Sequence, residues 1–464
     1  MQENDTICAI STATGGAIGI IRLSGNKSIE ITAKIFQPKV GMPLKERKSH
    51  TLTFGTIYAR NNRIVDEVLV SLFRAPTSYT GEESIEISCH GSQFILSQII
   101  MLLIENGCRL ARPGEYTQRA FLNGKMDLSQ AEAVADVIAS TSAATHRLAM
   151  NQMRGGFSKE LQELRSKLLH ITSLLELELD FSDHEELEFA NREELESLIV
   201  QIEIELLRLT TSFNLGNVLK NGVPVAIIGE TNVGKSTLLN ALLGEEKAIV
   251  SDVHGTTRDV IEDTLNIAGT TFRFIDTAGI RKTTDEVETI GIDRTFQMMS
   301  KASILLWLID VNYKTEDENE LKQEIRNKHF DKKVIIVFNK SEHLNQEQRK
   351  SIASSYAEID AKQLFISAKY KQNIEKLEEE LIKSASIPTL NQDELIVTNA
   401  RHYEALTNAL TAILRAKEGL FTHLPTDLVS QDIRECIFHL SEISGHIASE
   451  DILQNIFRNF CIGK

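Results

Sequence analysis

The stretch Val225-Ala-Ile-Ile-Gly-Glu-Thr-Asn-Val-Gly-Lys-Ser236 constrains this chain more than any other. Four apolar residues run straight into G-x-x-x-x-G-K-S, and a helical pattern starts near Lys235. In such a strand–loop–helix junction the glycines let backbone N–H groups wrap phosphate oxygens, and the helix N-terminus adds positive potential. Three further apolar runs, Phe272-Arg-Phe-Ile275, Ile304-Leu-Leu-Trp-Leu-Ile309 and Val334-Ile-Ile-Val-Phe338, each end at a polar loop. Near-continuous runs of this kind suit a parallel sheet covered on both faces. Pro224 opens the pattern, it ends near Ser384, and Pro388 marks the exit, so residues 221–386 read as an α/β P-loop domain of Ras-like type.

The flanks have a different texture. Residues 1–118 mix β-rich runs (Ile18–Leu23, Glu67–Phe73, Ser84–Ser88) with turns and one helical pattern, Phe94–Ile104, before Gly107; this predicts a compact α+β domain. Residues 119–220 read as helical. Ser129 with Glu132 forms an expected capping box. Leu161, Leu164, Leu168, Ile171 and Leu175 follow an amphipathic stripe. Ten acidic residues and one basic one, Arg192, lie between Glu176 and Glu196, as in a solvated turn joining two long helices. Residues 387–464 return to helix, with Leu406, Leu410, Ile413 and Leu414 expected on one face. The simplest architecture is a multidomain α+β and α/β chain whose helical domain is split by the P-loop insertion, an arrangement favoured where domain termini lie close together.

Composition narrows the setting. No run approaches 18 apolar residues, which excludes a transmembrane helix and stable membrane insertion. The acidic start, Met1-Gln-Glu-Asn-Asp, is not that of a secretory signal. Cys8, Cys89, Cys108, Cys436 and Cys461 are scattered and lack CxxC spacing, which argues against a disulfide framework or a structural zinc and for a reducing cytoplasm. The net charge of −15 repels nucleic acid, so an RNA partner must meet a local basic patch or be held mainly by another protein.

Loops after the strands select the nucleotide. Asn232, Val233, Gly234, Lys235, Ser236 and Thr237 form the phosphate cradle, with Lys235 reaching the β- and γ-phosphates and the Ser236 hydroxyl binding Mg²⁺. Asp276, Thr277, Ala278 and Gly279 follow a strand, placing a carboxylate near the magnesium and an N–H near the γ-phosphate. Ser251, Asp252, Val253, His254, Gly255, Thr256 and Thr257 form a first switch, with Thr257 the candidate second Mg²⁺ ligand. Asn339-Lys340-Ser-Glu342 resembles the guanine-reading N-K-x-D of GTPases, with Glu342 in place of Asp. Ser367, Ala368 and Lys369 resemble the last base-contacting loop. Five elements in this order point to GTP.

The residue after Gly279 is Ile280, where many signalling GTPases carry the glutamine that orients water. Asp285, Glu286 and Glu288 follow and are each able to polarise water. Asn232 is a neutral oxygen donor beside the phosphates: it either caps its own loop or helps hold a monovalent cation that replaces an arginine finger.

The chain ends Phe460-Cys-Ile-Gly-Lys464, and Asp5-Thr-Ile stands near its start. Between them stand Ser78-Tyr-Thr-Gly-Glu82, Ala111-Arg-Pro-Gly-Glu-Tyr116, Arg119-Ala-Phe-Leu-Asn-Gly-Lys125 and Leu128-Ser-Gln-Ala-Glu-Ala133. With the inserted P-loop region, these make the whole chain resemble the MnmE (TrmE) family of bacterial tRNA modification GTPases. The resemblance implies an N-terminal domain that dimerises and binds a tetrahydrofolate one-carbon donor, in 5,10-methylene or 5-formyl form. It also implies a homodimer and a heterotetramer with the FAD-containing protein MnmG, the FAD being on that partner only. Such complexes install an aminomethyl-type group at C5 of the wobble uridine of certain tRNAs. On matching positions, Arg22, Glu86, Lys125 and Lys464 would contact folate; cations suit its glutamate carboxylate, and a carboxylate suits the pterin amide and amine. The family also implies potassium at Asn232, Ser251, Val253 and Thr256, and water orientation by Glu288. Cys461 is either a reactive thiol of the RNA chemistry or a structural cysteine. Here Ser11–Ala17 is a shorter loop than the family's, and Cys89 stands where the family usually has Gly.

Three function classes compete. The first is a potassium-stimulated GTPase coupled to tRNA modification. The second is a GTP-dependent binding switch on the ribosome or a membrane, against which stand the missing basic tail and the Cys461–Lys464 terminus. An ATP-dependent ligase or kinase is disfavoured by Asn339–Glu342.

Overall fold

A computed structural model describes residues 5–13, 15–180, 192–247, 263–275, 299, 301–313, 322–323, 325, 332–385, 395–447, 450–458, 460 and 463. The chain divides into two compact units, Met1–Ala139 with Ala149–Leu206 and Glu404–Lys464, and Ser140–Leu148 with Leu207–Tyr403.

Seven strands build the sheet of the first unit: β1 (Thr6–Ile10), β2 (Ile18–Ser24), β3 (Phe36–Pro38), β4 (Thr51–Tyr58), β5 (Ile64–Phe73), β6 (Ser84–His90) and β7 (Cys108–Leu110). Their order is β3-β4-β5-β6-β2-β1-β7, and only the β1–β7 pair is parallel. Alternation along the strands sends Ile21 and Leu23, Val68, Val70 and Leu72, and Ile85 and Ile87 to one face. Helices α1 (Ser28–Ile35) and α2 (Gln93–Glu105) supply the rest of that core through Ile31, Ile35, Leu96, Ile99 and Leu103. The same alternation puts Arg22 and Glu86, directly paired across β2 and β6, on the other face.

Helices α3 (Glu115–Leu122), α4 (Leu128–Ala139), α5 (Ala143–Met153), α6 (Gly156–Asp180) and α7 (Arg192–Asn221) follow. Leu161, Leu164, Leu168, Ile171 and Leu175 are all buried on α6, as the periodicity predicts. The capping box lies two residues earlier than expected. Asp127 Oδ1 accepts the Gln130 N–H at 2.9 Å and Gln130 Oε1 accepts the Asp127 N–H at 3.0 Å, so Asp127 is the cap. Ser129 lies inside α4, its Oγ 3.2 Å from Ser158 Oγ. Most of the acidic stretch, residues 181–191, falls outside the described residues.

At the start of α3, Glu115 is 1% exposed. It accepts hydrogen bonds from Arg109 (2.7 and 3.0 Å), Arg119 (3.0 Å) and the Arg112 backbone N–H (2.8 Å). Burial pushes its carboxyl up, but these donors outweigh burial and hold it below the ordinary range.

The second unit holds a six-stranded sheet of β8 (Val223–Ile228), β9 (Asp263–Ile267), β10 (Thr270–Phe274), β11 (Ile304–Asp310), β12 (Lys333–Asn339) and β13 (Lys362–Phe365), in the order β13-β12-β11-β8-β10-β9. All neighbours are parallel except β9 and β10. Val225, Ile227, Leu306, Leu308, Ile335 and Val337 pack on one face against α8 (Lys235–Lys247, broken at Gly244) and α10 (Ile374–Ala385). Ala226, Ile228, Leu305, Trp307, Ile336 and Phe338 form the core of the other face with Tyr356 and Ile359, beyond α9 (Gln346–Ser354). All four apolar runs became strands; β8, β11 and β12 are buried on both faces as expected, whereas β10 buries Phe272 and Phe274 on one face and leaves Arg273 partly exposed on the other. The edge strand β9 and the short β13 have no such runs and were not anticipated.

Three helices follow: α11 (Ala400–Phe421), α12 (Thr426–Ser444) and α13 (Glu450–Arg458). Leu406 and Ile413 are fully buried on α11, but Leu414 is 43% exposed. Ala405, Ala409, Ala412 and Ala416 fill the buried stripe instead. Small residues on this face allow close helix approach where four large ones would not fit.

Candidate functional site

The phosphate loop joins the end of β8 to the start of α8. Gly229 has φ 141° and Gly234 φ 101°, and a Cβ would lie 2.3 Å from Leu308 O at the first and 2.5 Å from Asn339 Nδ2 at the second. Only glycine fits either position without displacing a neighbour. Asn232 turns through left-handed φ 61°, which asparagine tolerates better than most residues. Lys235 Nζ donates to Gly229 O and Glu230 O, both at 2.6 Å. Burial pushes its pKa down, and the Glu230 charge opposes this only partly. Val233 is buried under the loop, Ser236 half-buried at the first turn of α8, and Thr237 exposed beside it.

Asn339, at the end of β12, ties three loops together. Its Nδ2 donates to Val233 O of the phosphate loop at 2.8 Å, and its Oδ1 accepts the Ala368 N–H at 3.0 Å. Lys340, in left-handed φ 60°, donates to Asn232 O at 3.0 Å and to Asp310 at 2.6 Å. The Ser341 hydroxyl donates to Ile366 O. The amide and the lysine thus brace the cradle against the base loops. Asp310, which anchors Lys340, was missed from sequence, although a carboxylate at the C-terminal end of a parallel strand is a recognisable signal.

Glu342 Oε2 and Ser367 Oγ are shielded from solvent and make no well-formed hydrogen bond, although the hydroxyl lies close enough to act on the carboxylate. Burial raises the Glu342 pKa, but its own N–H, the Ser367 hydroxyl dipole, His343 and Lys369 together hold it below the ordinary range. Two unsatisfied oxygens, one ionised, suit a ligand edge carrying N–H donors, as guanine does. Lys369 is exposed, with its ammonium 5.4 Å from the Tyr370 ring centroid.

Ser251, Asp252, Val253, His254, Gly255, Thr256, Thr257, Asp276, Thr277, Ala278, Gly279, Asp285, Glu286 and Glu288 lie outside the described residues, as do Cys461 and Lys464.

A second polar site stands on the open face of the seven-stranded sheet. Arg22 donates to Glu86 Oε1 through Nε at 3.0 Å and Nη2 at 2.8 Å. Its guanidinium carbon lies 5.6 Å from the Tyr79 ring centroid and 5.7 Å from that of Tyr116. Gly463 joins them, its carbonyl accepting from Ser11 Oγ at 3.1 Å and Arg22 Nη1 at 3.5 Å. Lys125 donates to Pro76 O at 3.0 Å, and its stem packs by Gly81 in the loop that carries Tyr79. Ser11, Tyr79, Tyr116 and Gly463 were not singled out individually from sequence, because they meet only through the fold. Cys8, Cys89, Cys108 and Cys436 are free and buried. Among the described residues no helix is long and apolar enough to cross a membrane, and no three His, Cys, Asp or Glu side chains cluster as metal ligands.

Two family models match. The GTP-binding protein TrmE N-terminus model matches residues 6–125, and the MnmE helical domain model matches residues 128–461. The tRNA modification GTPase MnmE of Phocaeicola vulgatus is 60% identical over 498 aligned residues, and that of Bacteroides fragilis strain ATCC 25285 is 61% identical over 467; in each case all of both chains is covered. Among solved structures, Era in complex with MgGDPNP and nucleotides 1506-1542 of 16S ribosomal RNA is 26% identical, with 41% of this chain and 66% of that one covered. Its TM-score of 0.27 is too low to add to the sequence relationship.

Proposed function

The chain belongs to the MnmE family of tRNA modification GTPases, and on that premise we propose that it is a potassium-stimulated GTP hydrolase that works with an FAD-containing partner of MnmG type. Together they install an aminomethyl or carboxymethylaminomethyl group at C5 of the wobble uridine of certain tRNAs, using a tetrahydrofolate one-carbon donor. The observation that carries this reading is that one chain holds two separate built sites. One is a phosphate cradle braced by Asn339 and Lys340; the other is the Arg22–Glu86 pair with the C-terminal Gly463 carbonyl beside it.

In the first site, the Ser236 hydroxyl is the hard oxygen donor that would hold Mg²⁺, with Thr257 as its fellow ligand. The metal would supply positive charge against the phosphates. Asn232 offers an oxygen for potassium, with Ser251, Val253 and Thr256. Glu342 reads the base, and Glu288 orients the attacking water. In the second site, Glu86 suits the pterin amide and amine, while Lys125 and Lys464 suit a folate carboxylate. We place the folate-binding and dimerisation domain at 1–118, the helical domain at 119–220 and 387–464, and the GTPase domain at 221–386.

A homodimer is supported by Leu52, Phe54 and Leu69, which lie exposed on the sheet face that carries Glu86. Light scattering on the purified chain reports this state, and a monomer at micromolar concentration would remove the homodimer. The decisive experiment for function is mass spectrometry of wobble nucleosides from a strain lacking this chain. Loss of the C5 modification is expected, and an unchanged nucleoside profile would reject the reading.

A further inference from the structure

We propose that Arg349 is a positioning residue for base recognition: it fixes the Ser341 peptide and, through it, the aim of Glu342. This rests on the reading of Glu342 as the carboxylate that faces guanine, and it adds the residue that holds that carboxylate in place.

The base loop leaves β12 through Lys340, in left-handed φ 60°, and makes a single 3₁₀ turn, Ser341–His343. The turn closes where the Leu344 N–H donates to Ser341 O, at a long 3.3 Å. A turn so short and so loosely closed does not by itself keep a side chain aimed. Ser341 is therefore fastened from two sides. Its N–H and its hydroxyl both donate to Ile366 O, just after β13, at 3.2 and 2.8 Å. Its carbonyl is gripped by Arg349, whose Nη2 donates to Ser341 O at 3.1 Å.

The sequence after the turn places Arg349 for this. Asn345 caps α9 in a complete capping box: its Oδ1 accepts the Gln348 N–H at 2.9 Å, and Gln348 Oε1 accepts the Asn345 N–H at 2.9 Å. The Arg349 N–H then donates to Asn345 O at 3.1 Å. Side chains on a helix lean towards its N-terminus, so from this turn Arg349 reaches back over the base loop. Its guanidinium carbon lies 5.6 Å from the Phe365 ring centroid, and Phe365 stacks on the buried Phe338 at 4.7 Å. Phe338 directly precedes Asn339, so Arg349 ties the loop to the sheet where strand gives way to loop.

A glutamate needs this anchoring more than an aspartate would. Its extra methylene adds a rotatable bond, so the aim of the carboxylate depends more on a fixed backbone. Glu342 Oε2 is shielded from solvent without a well-formed hydrogen bond, and is held by where the turn places it.

The test uses full-length protein and two probes, GDP and IDP, which differ only in the exocyclic 2-amino group. The readout is the ratio of their affinities. Arg349→Met and Arg349→Leu keep an apolar stem beside Phe365 and remove the donor, and circular dichroism confirms that each is folded. Both should weaken GDP several-fold and IDP less, narrowing the ratio, though by less than the about 10-fold expected when the carboxylate itself is removed. In a Glu342→Ala background the same substitutions should leave the ratio unchanged, because the group they aim is gone. Equal weakening of both probes, or no weakening of either, would overturn the proposal. Further narrowing in the Glu342→Ala background would also overturn it, since Arg349 would then act elsewhere. A wild-type ratio in Glu342→Ala itself would overturn the base reading and this proposal with it. Narrowing in Glu342→Ala but not in the Arg349 variants would overturn this proposal alone.

Discussion

Lys235 and Arg22 are both cations held against carbonyl oxygen, yet they reach that state by opposite routes. The carbonyls around Lys235 come from residues five and six positions earlier in the chain. The partners of Arg22 come from 64 and 441 positions away. The first site is a local motif on a strand–helix junction, formed as soon as β8 and α8 pack. The second exists only after β2 has paired with β6 and the C-terminus has returned. Local closure costs little conformational entropy, whereas distant closure costs more and must be repaid by packing and ion pairing. Glu115 and its arginines provide such pairing in the N-terminal unit. The nucleotide site should therefore fail through chemistry, and the N-terminal site through folding.

The largest effect is expected at Lys235. Lys235→Ala removes a half-buried charge that on the proposed reading faces phosphate, so GTP affinity should fall on the order of 10³-fold while melting behaviour changes little. A fluorescent-nucleotide titration with thermal denaturation checks both. Normal affinity would remove the phosphate role, and a large loss of stability would blur the contrast between the two sites.

Glu115→Gln probes the other side. Taking the charge from a buried carboxylate that pairs with the buried Arg119 and the partly exposed Arg109 should cost about 3 kcal/mol of stability, read by urea denaturation. The sign with pH follows from its depressed pKa. The Glu115 contribution is fully present above the ordinary glutamate range, and it is lost as pH falls through the depressed value. The variant should thus lose less additional stability in acid than the wild type. Equal acid sensitivity in both would move the titrating group elsewhere, Asp5 being next in line because Arg109 and Arg119 also hold it low.

The same contrast explains what was legible in the sequence. The loops proposed at 229–237, 276–279 and 339–342 could be read because each directly follows an apolar run, and those runs became β8, β10 and β12. In the six-stranded sheet the strands that escaped notice, β9 and β13, lie at the two edges, where burial on one side only leaves a mixed sequence; in the seven-stranded sheet β1, β3, β4 and β7 escaped as well, β4 because its exposed Leu52 and Phe54 break the alternation that marks a one-sided strand. Arg22 and Glu86 were named by family resemblance, but their direct pairing follows from strand register, which has no local signature. Ser11 and Gly463 carry no spacing signal at all. Asp127 displaced Ser129 as the cap because D-x-x-Q and S-x-x-E overlap by two residues, and propensity alone does not choose between them. Leu414 turned outward because alanines already filled the stripe.

An intermediate effect is expected in hydrolysis. Glu288→Ala should lower turnover on the order of 10²-fold, the scale of general-base positioning, with nucleotide affinity near normal. Potassium, rubidium and ammonium should stimulate turnover and sodium should not, because a smaller ion does not fill the same oxygen cage. Asn232→Ala should abolish that stimulation. Equal rates in sodium and potassium would eliminate the cation proposal, and undiminished turnover in Glu288→Ala would pass the task to Asp285 or Glu286.

The smallest effect is expected at the base loop, and it sharpens the comparison most. Glu342 is a local motif residue like Lys235, but its Oε2 is shielded from solvent without a well-formed hydrogen bond, and so is the neighbouring Ser367 Oγ. Leaving such groups unsatisfied costs stability in the free protein, and a guanine edge would recover that cost on binding. Glu342→Ala should therefore weaken GTP by about 10-fold, the range for one hydrogen bond to a charged group, while making the unliganded protein no less stable. Discrimination between GTP and XTP should narrow, since xanthine lacks the exocyclic 2-amino donor. Because the Glu342 pKa is depressed, its contribution persists above the ordinary carboxylate range and is lost only as pH falls through the lowered value. GTP binding to the wild type should accordingly fade in acid, whereas the alanine variant should lose less over the same interval. XTP competing equally well with GTP before and after the substitution would show that Glu342 does not read the base, and a destabilised apo variant would show that it is structural, like Glu115.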